Sequence, residues 1–145
     1  MGLCFSCIYS PNLSNADSST PFYSFDDYTT YAKVVYVYDG DTVHIVLPLP
    51  NDSSRKLVKI KCRLYGIDTP ELRNNDQKTK AKEARERLKQ LLSETHSLIR
   101  VKCGKFDKYG RVLVTIYSEK YEKSLNQMLI DDGYAYPYYG KTKQK

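Results

Sequence analysis

Five charged side chains fall in three short clusters: Asp41 in Asp39-Gly40-Asp41-Thr42, then Arg63, Asp68 and Glu71 in Arg63-Leu64-Tyr65-Gly66-Ile67-Asp68-Thr69-Pro70-Glu71, then Arg111 in Asp107-Lys108-Tyr109-Gly110-Arg111. Three carboxylates and two guanidiniums are a sufficient set for cutting a phosphodiester with one hard cation. Asp41, Asp68 and the backbone carbonyl of Thr69 form an oxygen-only set suited to Ca²⁺ or Mg²⁺. Water and substrate phosphate would take the remaining coordination positions. Pro70 restrains the chain after Thr69 and favours an extended Thr69, which aims Glu71 at a neighbouring water as general base or water-orienter. Arg63 is read as lying on the same strand as Asp68, and Arg111 as opening a strand after a Tyr-Gly turn. Guanidiniums bind phosphate oxygens two at a time and act on charge that builds in the transition state.

Each cluster alone has an ordinary explanation. Asp-Gly-Asp-Thr and Asp-Lys-Tyr-Gly-Arg are common turn sequences, and a charged residue at a strand end is usually solvated. The weight lies in their combination and order. His44 and His96 are widely separated in the sequence and read as packed or exposed side chains, which argues against a histidine-metal centre.

The elements that must position these residues follow from the apolar pattern. Thr30–Tyr38, Thr42–Leu49 and Leu57–Ile67 read as strands, the first two joined by a tight Asp-Gly turn. In the third, Val58, Ile60, Cys62 and Leu64 take one face and Lys59, Lys61 and Arg63 the other. Asp76–Glu94 is an amphipathic helix through Ala81, Ala84, Leu88, Leu91 and Leu92, with a Glu83–Arg87 pair on its surface. Leu98–Cys103 and Arg111–Tyr117 are further strands, and Lys123–Asp132 is a short helix closed by Gly133. The order β-β-β-α-β-β-α predicts a mainly β (β+α) fold: a five-stranded OB-type Greek-key barrel with one long and one short helix.

The chain has 145 residues, enough for one domain with a real core. Residues 1–32 hold no Lys or Arg and three acids, leaving 23 basic against 14 acidic residues in 33–145. A body with that excess favours a polyanionic partner, of which nucleic acid is the commonest. Cys62 and Cys103 lie in strand-like runs and read as small core hydrophobes in a reducing compartment. No second Cys-x-x-Cys or His pair completes a zinc site around Cys4 and Cys7. No apolar run is long enough to span a membrane, and the N-terminus lacks the basic region of a secretory signal.

The first residues, Met1-Gly2-Leu3-Cys4-Phe5-Ser6, fit a myristoylation signal on Gly2. One acyl chain binds membranes only marginally, so a second signal is needed, and palmitoylation of Cys4 and Cys7 would supply it. Residues 1–30 read as an acylatable flexible tail, 31–140 as the domain and 141–145 as a basic C-terminal tail. This organisation predicts a monomer held on the cytoplasmic face of a membrane, or cytoplasmic if it is not acylated.

Taken together, Asp-Gly-Asp-Thr-Val (39–43), Arg-Leu-Tyr-Gly-Ile-Asp-Thr-Pro-Glu (63–71), Ala81-Lys82-Glu83-Ala84, Asp-Lys-Tyr-Gly-Arg (107–111) and Leu125-Asn126 with Gly133 resemble the staphylococcal nuclease (thermonuclease) family over residues 31–139. The tail resembles that of membrane-tethered calcium-dependent nucleases. The resemblance implies an OB-type barrel and Ca²⁺-dependent endo- and exonuclease action on DNA and RNA, leaving 3′-phosphates and preferring single strands. It implies that Asp41, Asp68 and the Thr69 carbonyl hold one Ca²⁺, that Glu71 assists water, and that Arg63 and Arg111 grip the phosphate. Lys108, Tyr109, Tyr138 and Tyr139 are implied to contact a terminal phosphate and stack on a base. It also implies a third, C-terminal helix and a longer loop after Glu71, neither of which this sequence contains. Two readings compete: a non-catalytic OB-type module binding nucleic acid or protein at a membrane, and a membrane adaptor with the barrel as docking surface. The first predicts substitutions among the five charged positions, and none is present.

Overall fold

Apolar residues alternating with polar ones give strands that bury one face and expose the other. In the computed structural model, which describes residues 13–140, five such strands close into a barrel. They are β1 (Thr29–Val37), β2 (Thr42–Pro48), β3 (Leu57–Leu64), β5 (Leu98–Phe106) and β6 (Val112–Tyr117). Gly2, Cys4, Cys7 and the basic segment 141–145 lie outside the described residues. The barrel order is β1-β2-β3-β6-β5, with β5 returning to β1. All pairings are antiparallel except β3 with β6, as expected for the OB-type barrel. Val43, Ile45 and Leu47 of β2, Cys62 and Leu64 of β3, and Val112, Val114 and Ile116 of β6 fill the interior. Each fully buried aliphatic side chain contributes about 1.5–3 kcal/mol.

The third strand is shorter than its sequence suggests. It stops at Leu64, and Gly66 takes a left-handed turn with φ +78°. The chain then forms a separate two-residue strand, β4 (Ile67–Asp68), which pairs with β7 (Tyr136–Pro137). Arg63 and Asp68 therefore do not share a strand. Five residues apart on one strand they would sit on opposite faces, about 17 Å apart. The glycine turn folds them together instead.

Helix α1 (Lys78–Ser93) buries the five predicted residues Ala81, Ala84, Leu88, Leu91 and Leu92. A 3-10 turn at Asn75–Gln77 precedes it, started by Asn74, whose side chain accepts the Asp76 N–H. Arg87 pairs with Asp132 of the next helical turn region at 2.8 Å rather than with Glu83, so the ion pair ties α1 to the end of α2 (Leu125–Asp131). Ser124 caps α2 by accepting the Gln127 N–H. Among the described residues α1 and α2 are the only α-helices, and no helix is long and apolar enough to cross a membrane.

The packed unit begins N-terminal to the expected boundary at residue 31. Phe25 is in the core and meets Phe106 edge-on; the Cys103 N–H donates to the Tyr28 carbonyl and the Asp27 N–H to the Cys103 carbonyl, and the Tyr28 hydroxyl donates to the Pro48 carbonyl. Aromatic burial outweighs the polar composition of the surrounding stretch. Cys62 and Cys103 are buried and unpaired. Burial pushes the Cys62 thiol far up and Cys103 to about 11, the behaviour of core residues.

Candidate active site

Three strand ends meet at one rim of the barrel. Thr42 pairs with Arg63 across β2 and β3, and Arg63 with Leu113 across the parallel β3–β6 pair. The start of β2, the end of β3 and the start of β6 thus come together, so that Arg111 Nη1 reaches Thr42 Oγ1 at 3.4 Å across 69 residues of sequence.

The Asp39-Gly40-Asp41 turn is pressed against α1. A Cβ on Gly40 would stand 2.8 Å from both Ala84 Cβ and Thr69 Cγ2, closer than non-bonded carbons tolerate. Glycine is required here by the close approach. Ala84 belongs to the same contact, which links the helix motif to the site.

Asp41 is 6% exposed and fully engaged. Its Oδ1 accepts the Thr42 hydroxyl at 2.9 Å, and its Oδ2 accepts the Thr69 N–H at 3.1 Å. Its own carbonyl accepts the Leu64 N–H at 2.8 Å, which fixes the turn to the end of β3. Arg63 Nη2 lies 3.5 Å from Asp41 Oδ2 and 3.0 Å from Asp68 Oδ1. One guanidinium nitrogen therefore holds both carboxylates. The Tyr138 ring lies 5.3 Å from the guanidinium carbon, brought there by the β4–β7 pairing and by the Tyr138 N–H donating to the Gly66 carbonyl.

Asp39, whose side chain accepts the Asp41 N–H at 3.1 Å, is a third acid at this rim. Burial, and then the Asp41 charge, pushes its carboxyl up to about 7.

Arg111 is held differently. Its Nε donates to Asp107 Oδ2 at 2.8 Å, its Nη2 forms an ion pair with the same oxygen at 2.8 Å, and its backbone N–H donates to Asp107 Oδ1. The Tyr109 N–H also donates to Asp107 Oδ1, an Asx turn that sets the β5–β6 hairpin. Burial acts against the Asp107 charge, but the Arg111 and Tyr109 N–H groups and the guanidinium outweigh it and hold the carboxyl below its usual range. Tyr109 is 72% exposed, with Lys108 Nζ 5.0 Å and the Arg111 guanidinium 5.4 Å from its ring.

Glu71 is exposed on the loop that leaves Asp68 through Thr69 and Pro70. Tyr139 is exposed and packs edge-on against Tyr65 at 5.7 Å. The structure thus gathers Asp41, Arg63, Asp68, Thr69 and Tyr138 in one cluster, and Lys108, Tyr109 and Arg111 in an adjoining one. Tyr138 lies against Arg63 and Tyr139 against Tyr65.

Sequence reasoning overlooked four contributors. Asp107 and Thr42 were visible only as turn residues, although an Asp four residues before an Arg is an Asx-turn signal. Asp39 was read as part of the turn alone. Asn126 is buried and donates to the Tyr65 and Val114 carbonyls at 2.9 and 3.0 Å while accepting the Ile116 N–H at 3.1 Å. It clamps the β3–β4 turn to β6, a long-range contact that its place beside Leu125 in the sequence motif does not reveal.

The donors fit a hard cation: two carboxylates that converge on one point, with the Thr69 backbone between Asp68 and Pro70. The buried Thr69 Oγ1 finds no hydrogen-bond partner among the described residues. Among the described residues no three His, Cys, Asp or Glu side chains group as a metal site, so a cation here would draw its further ligands from carbonyl, water or phosphate.

A closed five-stranded barrel with converging carboxylates and arginines at one rim defines a nuclease-like, nucleic-acid-binding class of domain. A family model described as staphylococcal nuclease homologue matches residues 61–145. That is more than half of the chain, and the chain belongs to this family. The match takes in Arg63, Asp68, Thr69, Glu71 and Arg111, and begins after Asp41. No curated protein matches the chain.

Proposed function

We propose that the chain is a Ca²⁺-dependent nuclease that cuts DNA and RNA, single strands preferentially, and leaves 3′-phosphates. The observation that carries this reading is the meeting of Asp41 and Asp68 on one nitrogen of Arg63. Asp41, Asp68 and the Thr69 carbonyl would hold one Ca²⁺, which when bound supplies Lewis-acid polarisation of the phosphate and lowers the pKa of a nearby water.

The remaining work falls to the chain. Glu71 takes the proton of the water that attacks phosphorus. Arg63 and Arg111 neutralise the non-bridging oxygens as charge builds, each exchanging a carboxylate partner for phosphate. The P–O5′ bond breaks, the O5′ oxygen takes a proton from solvent, and the phosphate stays on the 3′ side. Lys108 and Tyr109 contact the terminal phosphate and adjoining base. Tyr138 holds Arg63 from below, and Tyr139 offers a separate stacking face.

The tail supports a membrane location. Myristoylation of Gly2 with palmitoylation of Cys4 and Cys7 would hold a monomer on the cytoplasmic face of a membrane. Replacing Gly2 by Ala should move the protein to the soluble fraction, and an unchanged distribution would remove the anchor from the account.

Cleavage of denatured DNA in millimolar Ca²⁺, with an EGTA control and end-group analysis, tests the enzymatic reading. Cutting that needs Ca²⁺, leaves 3′-phosphates and falls about 10²–10⁴-fold in Glu71→Gln is expected. Uncut DNA would leave a binding module.

A further inference from the structure

Strands β1, β5 and β6 contain no Asp or Glu. Their inward residues, such as Ala32, Val101 and Val114, belong to the core, and the register sets what they turn outward. Three rows result. Thr29 of β1 lies beside Lys102 of β5, and Lys102 beside Thr115 of β6. Tyr31 lies beside Arg100, and Arg100 beside Tyr117, whose ring centroid is 4.9 Å from the guanidinium carbon. Lys33 lies beside Leu98.

Two properties set this face apart from an ordinary solvated surface. Its apolar side chains stand out in water: Tyr31 is 67% exposed, Leu98 56% and Val35, two residues past Lys33, 46%. Apolar groups gathered in one exposed patch mark an interaction site, whereas scattered ones do not. Its charge is also of one sign. Lys33, Arg100 and Lys102 are exposed, and the ion pairs of the described residues all run between other side chains. The face shares no residue with the candidate active site. The N-terminal segment joins the barrel at its edge, where the Tyr28 carbonyl accepts the Cys103 N–H and Phe25 packs on Phe106.

We propose that the outer face of β1 and β5 docks on a bilayer surface that contains anionic lipid. Aliphatic and tyrosine side chains enter the boundary between headgroups and acyl chains, while Lys and Arg reach the headgroup phosphates and carboxylates. A polynucleotide would match the charge of this face but would leave Leu98 and Val35 without an apolar partner. Each basic group contributes about fivefold to binding an anionic surface, so three of them make a reversible contact that orients a domain already held by acyl chains. This proposal rests on the reading of the N-terminal tail as a membrane anchor for its choice of occupant, and it is tested with that tail disabled.

The full chain carrying Gly2→Ala, Cys4→Ser and Cys7→Ser is sedimented with vesicles of phosphatidylcholine alone and with about 30% phosphatidylserine. It should bind the mixed vesicles and ignore the neutral ones. Adding Lys33→Gln/Lys102→Gln should weaken binding about 25-fold, and Lys33→Arg/Lys102→Arg should retain it. Leu98→Ser should weaken it about tenfold through lost apolar contact. Lys59→Gln/Lys61→Gln removes the same charge from β3, which pairs with neither β1 nor β5, and should leave vesicle binding intact. Equal losses in the two Gln variants would reduce the effect to net charge and overturn the face. So would weaker binding of an oligothymidylate by Lys33→Gln/Lys102→Gln with vesicle binding retained, which would give the face to nucleic acid. The two membrane readings fail separately. If the disabled chain ignores mixed vesicles while the acylatable chain fractionates with membranes, the face is overturned and the anchor stands. If it binds them while Gly2→Ala leaves the cellular distribution unchanged, the anchor falls and the face stands.

Discussion

The two arginines of the site are built alike and held differently. Each guanidinium meets a carboxylate and lies near a tyrosine: Arg63 with Asp68, Asp41 and Tyr138, Arg111 with Asp107 and Tyr109. Arg63 is inside the structure, 12% exposed at its side chain, and its partners are the same carboxylates the cation reading needs. Arg111 stands on a hairpin, 25% exposed, and its acid is a turn residue that shapes the loop. One guanidinium is bound into the fold through the carboxylates of the proposed cation centre, while the other sits on a self-contained hairpin mount.

The strongest way to break this comparison is to truncate the inner arginine. Arg63→Ala leaves Asp41 and Asp68 close together without their cation, and removal of one partner from a buried pair costs about 3–5 kcal/mol. Cleavage should be lost and the urea midpoint should fall. Near-wild-type stability would mean that the β3–β4 corner is no more integrated than the hairpin.

Arg111→Ala should lower the cleavage rate about 10²–10³-fold, the usual cost of one transition-state donor, while stability changes by no more than about 1 kcal/mol. Rate measurements beside thermal melts check this. Unfolding, with activity following the folded fraction, would put Arg111 on the same footing as Arg63.

Asn126→Ala sharpens the contrast from outside the site. It removes the partners of the Tyr65 carbonyl and the Ile116 N–H, at about 1–3 kcal/mol for a buried group left unpaired, while the Val114 carbonyl keeps the Tyr65 N–H. Chemical denaturation should register about 2–3 kcal/mol, and residual activity should scale with the folded fraction. An undiminished stability would detach the β3–β4 turn from this clamp.

The smallest effect belongs to Asp107. Its carboxyl is held below the usual range in the folded chain, so its stabilising contribution is complete above the ordinary aspartate value of 3.8 and is lost as pH falls through the depressed folded value. The stability gap between wild type and Asp107→Asn should therefore narrow below about pH 4. A gap independent of pH would mean that the carboxylate charge does not hold the hairpin.

The barrel was legible because its strands alternate cleanly, as in Val43, Ile45 and Leu47, and because α1 carries an apolar stripe at helical spacing. The candidate site residues were legible as a set of types. Their mutual placement was not, because it turns on Gly66, whose left-handed conformation ends β3 early and folds Asp68 back onto Arg63. The partners Asp107 and Asn126 act through backbone groups of distant or turn segments, which no apolar periodicity reports. Phe25 stands out as an aromatic residue in a polar stretch, and the Phe106 and Tyr23 rings against it account for its burial.

The central claim is that Asp41 and Asp68 form one cation centre, and calorimetric titration of Ca²⁺ into the full chain tests it most directly. The account predicts one binding site in the wild type, abolished or severely weakened in both Asp41→Asn and Asp68→Asn. Wild-type protein that takes up no Ca²⁺, or variants that bind it as well as the wild type does, would contradict the account.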